Sequence, residues 1–123
     1  MNQVLVYVGA ALSILWGVSH LIPTRSVVKG FGEISLDNQR IITMEWIVEG
    51  VSLILIGALT AAVTSIDPGS PVSQAVFLLS AFGLIVLAVV SLFTGFMVRF
   101  LPFKLCPFIF TASAILILLG GFL

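Results

Sequence analysis

Four long apolar stretches constrain the fold of this chain more than any other feature. They cover about residues 4–22, 41–63, 72–98 and 107–123 of the 123-residue sequence. A helix needs about 20 residues to cross a hydrocarbon core of roughly 30 Å, and each stretch is near that length. Backbone groups in lipid must be hydrogen-bonded within their own segment, so the stretches should be helices. The sequence therefore predicts an all-α polytopic membrane protein, a bundle of four transmembrane helices.

The composition supports the same class of protein. Hydrophobic residues make up 60% of the chain and charged residues 8%, whereas a soluble domain carries about a quarter charged residues. Residues 1–123 are predicted to form a single integral membrane domain without a soluble module. The first apolar stretch lacks a basic leading segment, so we expect no cleavable signal peptide. The single cysteine excludes a disulfide or dithiol within one chain, and the net charge of zero argues against a nucleic-acid partner.

The basic residues predict the orientation in the membrane. All five basic residues lie in the first connection, 23–40, and the third, 99–106. The only charged residue of the second connection, 64–71, is Asp67. By the positive-inside rule, connections one and three are cytoplasmic and both termini are outside. For a short chain of this kind we expect a bacterial or archaeal cytoplasmic membrane. The basic residues are Arg25, Lys29, Arg40, Arg99 and Lys104.

The first connection is predicted to be an amphipathic segment on the cytoplasmic membrane surface. Its cations Arg25 and Lys29 would reach lipid headgroups, and glycines would interrupt any short helix. The apolar side chains predicted to lie on the membrane surface are Val27, Val28 and Phe31, and the interrupting glycines are Gly30 and Gly32.

Two helix starts carry recognisable signals. Ser35 or Asp37 is predicted to cap the second long helix, because a side-chain oxygen there can accept from free amides of the first turn. Pro107 is predicted to lie in the first turn of the fourth helix, where its missing N–H costs nothing.

The stretch MEWIVEG places two carboxylates in the second apolar stretch. Glu45 and Glu49 are four residues apart and share a helix face, with Ser52 and Thr60 near it. At 1.5 Å per residue, Glu49 lies about 13 Å beyond Arg40, which predicts a position near the bilayer midplane. A charge at that depth costs at least about 2.5 kcal/mol, so we expect this stripe to face the bundle interior.

The first helix offers a complementary face. Gly9, Ser13, Gly17 and His20 recur along one side, and small residues at this spacing allow helices to approach closely. His20 ends that face at the depth predicted for the start of the second long helix. We predict a polar cavity open to the cytoplasm. Its candidate acid–base residues are His20, Glu45 and Glu49, and its candidate ligand-binding residues are Trp16, Ser52, Ser91 and Thr94.

A structural role for the glutamates is the alternative, in which they are protonated or bonded to Arg25, Arg40 or His20 and lock helices together. As a functional set, two carboxylates and a histidine can transfer protons or hold a cationic or hydroxylated ligand. A divalent metal is a further use of such ligands. No Glu-x-x-His pair occurs, so no metal site is predicted, and the cofactor stays open.

The layout resembles the DoxX-like group of small four-helix membrane proteins. The likeness covers the first half of the chain and consists of Ser19-His20, Gly30-Phe31-Gly32 and Glu49-Gly50. The chain departs from that pattern at Leu21, where a glycine is typical, and in its additional Glu45. The resemblance implies at most a membrane subunit associated with redox or quinone-linked enzymes.

Three functions are compatible with these features. The first is binding or transformation of a small lipophilic ligand by carboxylate and histidine acid–base chemistry. The second is an accessory or interaction subunit of a larger membrane complex, which the resemblance would make redox or quinone-linked. The third is a proton-coupled transporter, which would have to be a homo-oligomer because four helices are few for a pathway. Whether the chain is an enzyme is left open.

Overall fold

Five α-helices make up the structure, a computed structural model that describes residues 1–123. Four of them are long and apolar enough to cross a membrane, and there are no β-strands. The predicted all-α bundle with four candidate spans is therefore confirmed, and the apolar helices indicate an integral membrane protein. The helices are α1 (Gln3–Leu21), α2 (Thr24–Gly30), α3 (Leu36–Ile66), α4 (Pro71–Phe93) and α5 (Leu101–Phe122).

The predicted span 4–22 agrees with α1, whereas α3 is longer than the predicted span 41–63 at both ends. Its start is set by Ser35, whose hydroxyl oxygen accepts from the Asn38 amide at 3.1 Å. Ser35 is thus the helix cap, which confirms one of the two predicted candidates, Ser35 and Asp37. The five added residues at the start are polar or charged except for Leu36, so apolar length alone underestimates this helix.

The fourth span was placed wrongly at its start. α5 begins at Leu101 with Pro102 in its first turn, and Pro107 lies inside the helix. An internal proline is tolerated in membrane helices when neighbouring groups satisfy the backbone around it. The predicted third span, 72–98, also divides, because α4 ends at Phe93 and a short 3₁₀ turn, Gly95–Met97, follows.

Close helix contacts are made through glycine. α1 packs between α3 and α5, and α4 packs on α5. A Cβ atom on Gly17 would lie 2.6 Å from the Gly50 carbonyl oxygen, and one on Gly9 would lie 2.8 Å from that of Ser113. The small-residue face predicted on α1 is therefore confirmed as a packing face, and it packs against both α3 and α5. Ser13 also joins α1 to α3, because its hydroxyl donates to the Leu53 carbonyl at 2.7 Å.

The contact between α3 and α4 is the least extensive of the contacts between the long helices. Polar groups join the two helices near the turn that connects them. The Thr60 hydroxyl donates to the Ser80 hydroxyl at 3.1 Å, and the Ser73 hydroxyl donates to the Asp67 carbonyl, at the end of α3, at 2.6 Å. Toward the other end, a groove bordered by Ser52 and Leu87 lies between the helices.

Replacing Thr60 with valine should slightly weaken the contact between α3 and α4. The variant keeps the side-chain shape but removes the donor to Ser80, and such interhelical bonds in membranes are worth about 0.6 kcal/mol. We expect a loss of that size in the free energy of unfolding, measured by denaturant titration in detergent micelles. Thr111→Val is the matched control, because the Thr111 hydroxyl bonds only within its own helix. Equal losses in both variants would contradict the assignment.

The first connection is folded against the bundle. Val28 is buried, so the prediction that it lies on the membrane surface is wrong, whereas Val27 is half-buried. A short helix does form, and it ends at Gly30; the turn that follows contains Gly32 with φ of +74°, a conformation that favours glycine. Phe31 remains exposed, as predicted. Val28 is buried because α2 packs back onto α3.

Candidate functional site

His20 and Glu49 come together at one end of the bundle. His20 is the last residue but one of α1, and its Nε2 lies 3.4 Å from the Glu49 Oε2 in α3. The histidine side chain is only 8% exposed, whereas that of the glutamate is 42% exposed. This is the one ion-pair contact in the chain, so neither Arg25 nor Arg40 holds a glutamate. A buried imidazole thus faces a half-exposed carboxylate.

The His20 ring is held in place by Trp46. The two rings stack with centroids 3.7 Å apart and planes inclined by 16°, and the Trp46 indole N–H donates to the His20 carbonyl at 2.7 Å. The imidazole Nε2 is nevertheless buried without a hydrogen-bond partner, because the contact with Glu49 is close but not aligned as a hydrogen bond. Leaving a buried polar atom unpaired costs about 1–3 kcal/mol. Such an atom in a fixed ring is suited to a ligand.

An aromatic cavity of about 340 Å³ lies on one side of His20. Both tryptophans of the chain line it, and the predicted Trp16 is one of them. The Trp16 indole N–H donates only to the Cys106 sulfur, a weak acceptor, at 3.4 Å. The rings of Trp46 and Phe103 meet edge to face with centroids 5.7 Å apart. The cavity thus offers flat apolar walls and few polar atoms.

A smaller polar cleft of about 260 Å³ is also lined by His20 and borders Glu49. Two predicted residues of α4 and its end, Ser91 and Thr94, line this cleft. Their hydroxyls donate to carbonyls of the preceding helical turn, at 2.7 Å to Leu87 and 2.6 Å to Val90. Each hydroxyl oxygen therefore keeps acceptor capacity. The structure brings together His20, Glu49, Ser91 and Thr94 around one space.

Glu45 and Ser52 do not point into the bundle, so the prediction of an inward-facing stripe is wrong for them. Both are exposed, and together with Glu49 they line an outer groove of about 410 Å³. The reason is the position of the buried face of α3, which follows Gly50, Leu53, Gly57, Thr60 and Thr64. At about 100° per residue, Glu49 lies at the edge of that face, and the other two lie beyond it.

The depth predicted for Glu49 also changes. Glu49 lies beside His20, and α1 extends only one residue past His20. From Ile66, at the other end of α3, Glu49 is 17 residues away, or about 26 Å. A hydrocarbon core of roughly 30 Å would therefore place Glu49 near one boundary and Glu45 at the headgroups, not at the midplane. At that depth, an exposed glutamate is tolerable.

Three site residues were not predicted: Trp46, Phe103 and Cys106. Trp46 precedes Glu49 by three residues and so lies on a neighbouring part of the helix surface, a spacing that could have indicated its place in the site. Phe103 and Cys106 were assigned to a connection, because α5 was expected to begin at Pro107. A helix starting at Pro102 is the sequence signal that would have placed them beside His20.

No three His, Cys, Asp or Glu side chains lie close enough to hold a metal ion. Comparisons with protein families, characterised proteins and solved structures found no match to this chain. The resemblance to DoxX-like proteins therefore stays a prediction, and the function has to be argued from the site.

Proposed function

We propose that this chain is an integral membrane protein that binds a small lipophilic ligand at His20 and Glu49. The observation that carries the proposal is the buried His20 Nε2, which makes no hydrogen bond within the chain, in a residue that lines both the aromatic cavity and the polar cleft. Buried polar atoms are normally hydrogen-bonded, and a catalytic role or a bound molecule is among the explanations for an exception. A hydroxyl or carbonyl group on the ligand would supply it here.

The surroundings favour a ligand that is mostly apolar. Trp16, Trp46 and Phe103 present flat faces and edges to the aromatic cavity, which suits a ring or an unsaturated chain. The half-exposed Glu49 faces the seam between α3 and α4, the least closely packed side of the bundle. A lipophilic molecule can enter there from the bilayer without crossing water.

Acid–base chemistry is the reaction type that these residues support. Neutral histidine offers a donor on one ring nitrogen and an acceptor on the other, and the Glu49 carboxylate 3.4 Å away can take or return a proton. Ser91 and Thr94 would orient the polar group of the ligand through their hydroxyl oxygens. Proton transfer to or from a bound ligand is therefore the proposed activity, and Glu45 takes no part in it.

The proposed location is the cytoplasmic membrane of a bacterium or archaeon. Residues 23–40 and 99–106, which flank the apolar parts of α3 and α4, carry all five basic residues, which favours a cytoplasmic position for that end of the bundle. The site would then open near the cytoplasmic boundary of the membrane, with both termini outside.

Intrinsic fluorescence provides a direct test, because the only two tryptophans of the chain line the aromatic cavity. Delipidated protein in detergent would be titrated with an organic extract of its source membrane. We expect a saturable change in tryptophan emission for the wild type and none for Glu49→Gln at the same concentrations. Ser65→Ala, an exposed position remote from the cavity, is the control. An unsaturable change, or one equal in all three proteins, would contradict the proposal.

An accessory role in a larger membrane complex is the second candidate, and Glu45 is the observation that favours it. This carboxylate is exposed on the outer face of α3 and forms no ion pair within the chain. A cation from a partner helix could lie in the outer groove beside it. Isolation in mild detergent would test this candidate: a partner that is retained by the wild type and lost in Glu45→Gln supports it. No separate observation favours the transporter.

A further inference from the structure

A second groove, which the proposed function does not use, lies between α2 and α3. It has a volume of about 350 Å³, and we call it the basic groove. Unlike the aromatic cavity, it is lined almost entirely by polar side chains. They are Thr24, Arg25 and Lys29 from α2 and Gln39 and Thr43 from α3, with Val28 as the only apolar member.

The two cations of the basic groove have no anionic partner. Arg25 and Lys29 are four residues apart on α2, so they share a helix face, and like charges at this spacing repel each other. No carboxylate lies within ion-pair distance of either, because the sole ion-pair contact in the chain is that of His20 with Glu49. An anion bound between them would remove this repulsion.

Among the neutral members of the groove, Gln39 is the one that adds a free hydrogen-bond donor. The Thr24 hydroxyl donates to the Leu21 carbonyl at 2.6 Å, and the Thr43 hydroxyl donates to the Gln39 carbonyl at 2.7 Å. These bonds use the single proton of each hydroxyl, so the two threonines have no donor left for an anion. The Gln39 side-chain amide makes no hydrogen bond within the chain, so its N–H groups are free to donate to one. Guanidinium, ammonium and amide donors on one concave surface match the several oxygens of a phosphate group.

We propose that the basic groove binds a phosphate group, carried by an anionic membrane lipid. The lipid source is favoured by the surroundings of the groove. Phe31, two residues after Lys29, and Met44, next to Thr43, are each 54% exposed, so apolar surface adjoins the polar groove. A headgroup in the groove would leave the acyl chains along this surface. The ligand site at His20 lies on the other side of α2, where Val27 lines the aromatic cavity.

The test is native mass spectrometry of the purified chain with added lipids that have identical acyl chains. We expect phosphatidic acid and phosphatidylglycerol to bind about tenfold or more tightly than phosphatidylcholine, the scale expected for two juxtamembrane cations. The double variant Arg25→Gln/Lys29→Gln should lose this preference. Arg40→Gln/Arg99→Gln removes two charges outside the groove and should keep it. Inorganic phosphate at millimolar concentration distinguishes the sources: displacement of the lipid indicates a site for free phosphate, and no displacement indicates a lipid site.

Equal loss of preference in the two double variants would overturn the proposal, because the effect would then be one of total charge. Retention in both would also overturn it. Gln39→Glu provides a second variant that keeps both cations and places a negative charge in the groove; it should abolish the preference too. Far-UV circular dichroism of each variant checks that the helices are intact.

Discussion

Replacing Gly57 with alanine is expected to destabilise the bundle by about 1–3 kcal/mol, the usual cost of overpacking a closely packed site. A Cβ atom at this position would lie 2.5 Å from the Ala10 carbonyl oxygen and 2.6 Å from a side-chain carbon of Ile14. The first of these atoms belongs to the backbone of α1 and cannot move without shifting the helix. The added methyl group must therefore separate α1 from α3.

The measurement is a denaturant titration in detergent micelles, followed by far-UV circular dichroism. Gly83→Ala is the matched control, because a Cβ atom at Gly83 in α4 would meet nothing within 4 Å. There the change should be neutral or stabilise by up to about 1 kcal/mol, since glycine is the poorer helix former. A Gly57→Ala protein as stable as the control would show that α1 and α3 do not pack through this glycine.

Replacing His20 with phenylalanine should weaken ligand binding and at the same time stabilise the empty protein. Phenylalanine keeps a flat ring for the stack on Trp46, but it removes the buried Nε2 that has no hydrogen-bond partner. Removing such an atom should recover up to about 1–3 kcal/mol of unfolding free energy. Losing the hydrogen bond to the ligand should weaken binding by about tenfold or more, and stability and function should change in opposite directions.

Binding would be followed by tryptophan emission, and stability by denaturant titration of the delipidated protein. Glu49→Gln separates the two effects, since it alters the charge beside His20 without changing the imidazole. We expect it to lose binding with little gain in stability. If His20 were a structural residue, the phenylalanine variant would instead be less stable than the wild type, with binding changed only as far as folding fails.

The class of fold followed from the sequence because lipid imposes a single demand, a long apolar helix, and four stretches meet it. The ends of the helices were predicted less accurately from the sequence. α3 continues through polar residues beyond the hydrocarbon, and α5 begins before Pro107 because Pro102 can start a helix equally well. Neither end is set by apolar length. Capping did locate the start of α3, since Ser35 has a local role that does not depend on packing.

The candidate site was predicted in part, for reasons visible in its residues. His20 and Glu49 were expected to share a cavity, and they do lie in contact. Glu45 was expected beside them because it shares a helix face with Glu49. Which part of that face turns inward depends on where α1 contacts α3, and the contact runs through Gly17 and Gly50. The spacing of residues on one helix cannot supply that information.

Native mass spectrometry of the protein released gently from its own membrane tests the central claim most directly, with His20→Phe measured beside the wild type. We expect a small organic molecule bound to the wild-type chain and absent from the folded variant. A wild-type chain that carries no small molecule, or a molecule retained equally by His20→Phe, would contradict a ligand site at His20 and Glu49.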